Sequence, residues 1–272
     1  MLQSITDILS LDFIQRGFAG GILISLCCAL LGVILVLKRY SMIGDGLSHV
    51  GFGALAIGTA VGVTPLYVAV PIVIITAFLL LRMQSNGKLK GDAAIALIST
   101  FSLAFGVLLI SITPGANTDI YNYMFGSILA ITTNDIILIS LLTLVVVILY
   151  ILTYHKIFSV TFDERFAKST GINTEVYNMM IAMLSALTVV IGMKIMGAML
   201  ISSLIIFPPL TAMRLCKSFK SVTLMSVLIA LVCFIIGILV SIALDTPAGA
   251  SIVLVNGVFF GLFTVISKLR TI

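Results

Sequence analysis

Charge is what this sequence most lacks. Only 9% of its 272 residues are Asp, Glu, Lys or Arg and 61% are hydrophobic, where soluble domains carry about 25% charged residues. With a mean hydropathy of +1.29, this composition excludes a water-soluble domain and indicates an integral membrane protein. The net charge of +5 is modest. Its basic residues are better read as topology signals than as a nucleic-acid surface. The four cysteines form no CxxC pair; Cys27, Cys28 and Cys233 lie inside apolar runs and Cys216 ends one. They are expected as small packing residues, not disulfides or ligands. The first fifteen residues hold Asp7 and Asp12 but no Lys or Arg, so the positive leading region of a cleavable signal peptide is missing. Catalytic motifs are missing too. "SNGKLKGD" (85–92) lacks phosphate-loop spacing, and HExxH and GxSxG do not occur. Ser48 adjoins His49, but neighbours on a helix diverge by about 100°, a poor nucleophile–base pair. The chain is not expected to be an enzyme.

Long apolar runs are what it has. Charge-free stretches occupy 17–37, 64–81, 93–118, 136–154, 176–193, 195–213, 221–244 and 246–267, and a run at 46–62 is interrupted only by His49. A helix needs about 20 apolar residues to cross a bilayer. The expected fold is therefore an all-α polytopic membrane bundle, one domain over 1–272, with nine crossings. The count becomes eight if 176–213 is a single helix broken near Lys194. Of the 15 basic residues, 13 follow the odd-numbered runs: Lys38, Arg39, Arg82, Lys88, Lys90, Lys156, Arg165, Lys168, Arg214, Lys217, Lys220, Lys268 and Arg270. The positive-inside rule puts that side in the cytoplasm, with the N-terminus outside and the C-terminus inside. The segment 112–135, with its Pro-Gly turn, is expected as a surface half-helix or a re-entrant piece. Pro208-Pro209 is expected to end or kink its helix.

One polar pair interrupts the pattern. Asp45 and His49 in "GDGLSHVGFG" stand four residues apart, so they share a helical face. Ionisable groups in a membrane are costly and usually face a path or a partner. Asp and His are good ligands for zinc or manganese. One pair supplies two ligands, and a two-fold dimer would supply the four that zinc prefers. Gly44, Gly46, Gly51 and Gly53 would let a second chain approach closely. Two other roles stay open: Asp45 as a helix N-cap and His49 as a hydrogen-bond partner of a neighbouring helix. His155, beside Lys156, reads as interfacial or solvated.

The longest inner loop is "FSVTFDERFAKSTGINTEVYN" (158–178), and its residues 163 to 170 read as a short helix. Acids occupy its first turn and Lys168 its last, matching the helix dipole, and Gly171 is placed to stop it. A capped helix of mixed charge suits either docking of a cytoplasmic partner or adsorption to lipid.

Five stretches, "LGVILVLKRYSMIGDGLSH", "YNYMFGSILAIT", "FDERFAKSTGI", "MKIMGAMLISSLIIFPPLTAMR" and "DTPAGASIVL", occur in order along the chain. Together they resemble the membrane permease subunit of bacterial zinc/manganese ABC importers over nearly the whole length. The resemblance implies a homodimeric permease in the bacterial inner (plasma) membrane, two cytoplasmic ATP-binding subunits and an external metal-binding protein. It also implies that Asp45 and His49 are the metal pair, with zinc or manganese as transported ion and no resident cofactor. Residues 162–172 become the coupling helix, with Asp163, Glu164, Phe166, Ala167 and Gly171 seating it on the ATPase. The runs "MFGSILAIT" and "DTPAGASIVL" look closer to the zinc branch; manganese or iron import is the alternative. A proton-coupled secondary transporter fits less well, because it needs acids in several spans and Asp45 is the main candidate. The topology has a direct test. Single cysteines at Lys38, Lys88, Arg165, Lys217 and Lys268 are expected to resist an impermeant thiol reagent added outside intact cells, and outside labelling at 88 or 217 would overturn the nine-span order.

Overall fold

The computed structural model describes residues 12–85, 91–113, 124, 126 and 131–270. Among them the chain forms helices α1 (Asp12–Leu37), α2 (Ser41–Val61), α3 (Pro65–Ser85), α4 (Gly91–Ile112), α5 (Thr133–Leu152), α6 (Tyr154–Phe162), α7 (Glu164–Ser169), α8 (Thr174–Met196), α9 (Ala198–Leu215), α10 (Phe219–Leu244) and α11 (Ala248–Arg270). Eight are long and apolar enough to cross a membrane. The ninth long helix is α2, with 21 residues and thus about 31 Å of length. Its polar pair and glycines make it less apolar than the rest.

Local sequence sets the helix ends. Thr132 and Asp135 form a capping box at the start of α5. Asn173 and Ser218 accept N-cap bonds at α8 and α10. Gly62 ends α2 in the left-handed conformation. Pro208 and Pro209 do not end α9, which continues to Leu215. Pro209 removes the amide that would bond the Ile205 carbonyl, and that carbonyl lies against Gly32 of α1. A Cβ at Gly32 would stand 2.3 Å from the oxygen, so only glycine lets α1 approach the freed acceptor.

Residues 176–213 are not one helix. The break falls at Gly197, with φ 86° and ψ 154°, a region essentially restricted to glycine. The chain reverses there: a Cβ on Gly192 would lie 2.5 Å from Ile201 Cδ1, whereas nine residues of continuous helix would separate them by about 13 Å. Of the segment 112–135, only 112, 113, Met124, Gly126 and 131–135 lie within the described residues. Gly126 backs onto the Met196–Gly197 turn so closely that a Cβ would meet the Met196 carbonyl at 2.3 Å.

Helices α1, α2, α8 and α9 are the most buried, while α3, α4 and α11 lie at the periphery. Helix α1 packs on α5, α9 and α10; α2 packs on α3, α4, α8 and α9. The two ends of the bundle differ. Lys38, Glu164 and Asn178 meet at one end, the α7 end. There Phe219 also packs on Tyr154, Phe158 and Phe162. At the far end of α8, Lys194 pairs with Asp135 at 2.8 Å. The four cysteines are free, and all but Cys216 are buried, in line with a packing role. Replacing Gly197 by Ala is expected to destabilise the protein by about 1–3 kcal/mol, read as a lower thermal midpoint of the detergent-solubilised permease; an unchanged midpoint would show the turn tolerates a side chain.

Candidate metal pathway and docking surface

Helix α1 ends in a tight corner. Arg39 adopts φ 62°, and the Tyr40 amide donates to the Leu35 carbonyl at 2.7 Å, the long closing bond of a Schellman-type stop. Helix α2 starts one residue later, at Ser41, with Tyr40 as its N-cap. Asp45 therefore sits inside the helix, about 6 Å along its axis from Ser41, and is not the cap.

Asp45 Oδ2 and His49 Nε2 stand 3.6 Å apart, with the side chains 40% and 26% exposed. Two ligand atoms each about 2.0 Å from a tetrahedral zinc are about 3.3 Å apart. The pair is thus close to chelating geometry without a change of backbone. With Met42, which is also exposed, Asp45 and His49 form the one open stripe on the first two turns of α2. Among the described residues no three of His, Cys, Asp and Glu gather as a metal-holding group. Among the described residues Asp45 and His49 thus stand as a pair.

Most of the rest of α2, as far as Ala56, is enclosed by its own chain. Gly44 faces Ile205 of α9, Gly46 faces Ile95 of α4 and Gly51 faces Met193 of α8. A Cβ on Gly53 would come within 2.6 Å of the Ser102 carbonyl oxygen, and one on Gly58 within 2.6 Å of Pro65 Cα. The glycines expected to admit a second chain instead admit α4, α8 and α9. Their spacing shows that something comes close, but not what.

Beside the open stripe, Ser48 donates to the Asp45 carbonyl at 2.7 Å, and its Oγ lies 3.4 Å from Ser202 Oγ on α9. The two hydroxyls link the backbone of α2 at Asp45 to α9. Sequence alone gave no sign of the contact, because 154 residues separate the two serines.

At the α7 end, the expected short helix is present. Asp163 caps it, accepting from the Phe166 amide at 2.9 Å. Gly171, at φ 83°, closes it together with a bond from the Ile172 amide to the Ala167 carbonyl. Ala167, expected among the docking contacts, is fully buried. It faces the bundle because it is the residue on which this short helix packs, so it cannot itself touch a partner. Glu164 also turns inward, accepting from Asn178 Nδ2 at 3.0 Å and lying 3.8 Å from Lys38 Nζ. Asp163, Glu164, Phe166 and Gly171 are exposed all the same, Phe166 at 61%, and exposed Arg165 and Lys168 flank it. Phe158 and Phe162 are exposed nearby. His155 is exposed with its ring edge against Tyr154, as an interfacial residue would be. Burial pushes the Lys38 ammonium below its ordinary pKa, while the nearby Glu164 charge pulls it back up. Burial also raises the Tyr40 hydroxyl. Sequence reasoning treated Lys38 only as a topology marker.

Known proteins share this arrangement of helices. The family model "ABC 3 transport family" matches residues 10–267. The high-affinity zinc uptake system membrane protein ZnuB of Buchnera aphidicola is 32% identical over 89% of this chain and 93% of its own. The manganese transport system membrane protein MntC of Halalkalibacterium halodurans is 28% identical over 94% of this chain and 88% of its own. Among solved structures, PsaBC from Streptococcus pneumoniae in complex with Fab superposes with a TM-score of 0.87 and 26% identity, covering 97% of this chain and 95% of that one. A chain matched from one end to nearly the other by a single family model, with the same helical architecture in a solved relative, belongs to the ABC 3 transport family.

Proposed function

We propose that this protein is the membrane permease subunit of an ATP-driven importer of divalent metal ions, with zinc as the first substrate to test and manganese as the alternative. The observation that carries the proposal is the Asp45–His49 pair, 3.6 Å apart on the one open stripe of the first two turns of α2, a helix enclosed over most of its length. Kinship with zinc and manganese permeases supports the same reading. Both ions accept nitrogen and oxygen ligands, so the donor set does not choose between them.

In this reading two copies of the chain face each other across a two-fold axis, and their open stripes supply two carboxylates and two imidazoles. An external metal-binding protein delivers the ion, and the four groups hold it in passing. The α7 end lies in the cytoplasm and the N-terminus outside, as the basic residues indicate. ATP binding and hydrolysis take place in two separate cytoplasmic subunits seated on α7, and the dimer alternates between outward and inward openings. The ion must leave, so the site binds it more weakly than a structural zinc site.

Uptake of zinc and of manganese by the permease–ATPase complex in vesicles, with and without ATP, tests the whole scheme; metal uptake independent of ATP would defeat it. Two variants test its parts. Asp45→Asn keeps the shape and removes the charge. It is expected to cut uptake at least about tenfold at unchanged expression, and His49→Ala likewise; wild-type uptake in either would remove the pair from the pathway. Phe166→Ala is expected to weaken ATPase binding by about tenfold or more, as loss of an exposed aromatic anchor does, with the membrane part intact; full retention of the ATPase on the variant would show that α7 is not its seat.

A further inference from the structure

Lys38 is the last residue before the corner that leads into α2, and it does not behave as a topology marker. A lysine that only had to label the inner side would extend its ammonium to water. Its neighbour Arg39 does so and is exposed. The Lys38 side chain is 5% exposed. Its ammonium lies 3.8 Å from Glu164 of α7, donates to the side-chain oxygen of Asn178 on α8 and stands 5.9 Å from the centre of the Tyr40 ring. Asn178 closes the cluster by donating to Glu164 at 3.0 Å. One ammonium thus joins the docking helix, the start of α8 and the corner between α1 and α2.

The route from that corner to the metal pair has little slack. Arg39 holds a left-handed turn at φ 62°. The Tyr40 amide is bonded back to Leu35 at 2.7 Å, and the Tyr40 carbonyl accepts from the Ile43 amide at 2.9 Å. Asp45 and His49 follow on the same helix. A displacement of α7 therefore acts on Glu164, then on Lys38, then on the first turn of α2. Helix α7 also contacts α8, which Lys38 holds through Asn178.

We propose that Lys38 is the positioning residue through which movement of α7 reaches α2 and its Asp45–His49 pair. The proposal rests on the reading of α7 as the seat of the ATPase. Lys38 does not touch the metal; its role is to keep ATP-driven movement and metal release in step.

The test replaces Lys38 by Met, which keeps the length of the stem and removes the charge. Glu164 is 48% exposed and can hydrate when left alone, so the variant is expected to fold. Wild-type and variant permease are reconstituted with the ATPase in vesicles, and zinc or manganese uptake and ATP hydrolysis are read from the same sample. The expected result is normal assembly, ATP hydrolysis within about twofold of wild type, and about a tenfold loss of metal moved per ATP, within the usual range for coupling between sites. Glu164→Gln should lose a similar amount, and the double variant no more than either alone, because the two residues form one link. An unchanged ratio of metal to ATP in Lys38→Met overturns the proposal, and so do losses that add in the double variant. A lower yield of complex with a normal ratio also overturns it, since Lys38 would then be a packing residue. Failure of the underlying reading looks different: the ATPase would stay bound after Phe166→Ala.

Discussion

A carboxylate and an imidazole cannot be left loose in an apolar bundle, and much of the architecture follows from that. Placing an aspartate within a membrane helix costs about 2.5–3.5 kcal/mol on insertion scales. The protein confines this cost to one stripe of α2 and encloses the remaining faces with α3, α4, α8 and α9. The enclosure is made at backbone distance. Gly53 meets the Ser102 carbonyl, Gly58 meets Pro65, and Gly106 of α4 meets Gly53 in return. Main-chain contacts of this kind fix the rotation of α2 about its axis more firmly than side-chain packing would, because there is no rotamer to yield. The direction in which Asp45 and His49 point is thus set by residues that carry no functional group.

A similar division of labour holds at the α7 end. Asp163 and Gly171 shape the short helix, Ala167 seats it, and Glu164 ties it inward. Its outer face carries Phe166 among the charged side chains of Glu164, Arg165 and Lys168. The neighbouring helix α6 is held by the ring of Phe219, which touches Tyr154, Phe158 and Phe162. The α7 end of the bundle thus stands on an aromatic base belonging to α10.

Much of this was legible in the sequence, for physical reasons. Apolar runs of spanning length became helices because a chain in lipid must satisfy its own backbone. The spacing of Asp45 and His49 placed them on one face without knowledge of any neighbour. Acids before a short run and a glycine after it gave the α7 cap and stop. What escaped was whatever depends on the other side of a contact. The glycines of α2 announced a close approach but not that α4, α8 and α9 make it. Ala167 looked like part of a docking face because a six-residue helix has too little periodicity to show which side is buried. Pro208-Pro209 looked like a stop or a kink, and that α9 runs on to Leu215 was not legible because the neighbour of the freed carbonyl, Gly32, lies far away in sequence. Lys194 suggested a break close by, while the break itself needed the backbone freedom of Gly197.

The Lys194–Asp135 pair bears on electrostatics at the end of the bundle far from α7. A doubly charged cation about 10 Å from a lone lysine in water meets a repulsion of about 0.8 kcal/mol, and more beside a low-dielectric wall. With the carboxylate 2.8 Å from the ammonium, the distant ion sees a small dipole, and the repulsion drops to roughly a quarter. The lysine can then serve α8 and α5 as a mechanical tie without acting as an electrostatic barrier to an approaching metal ion.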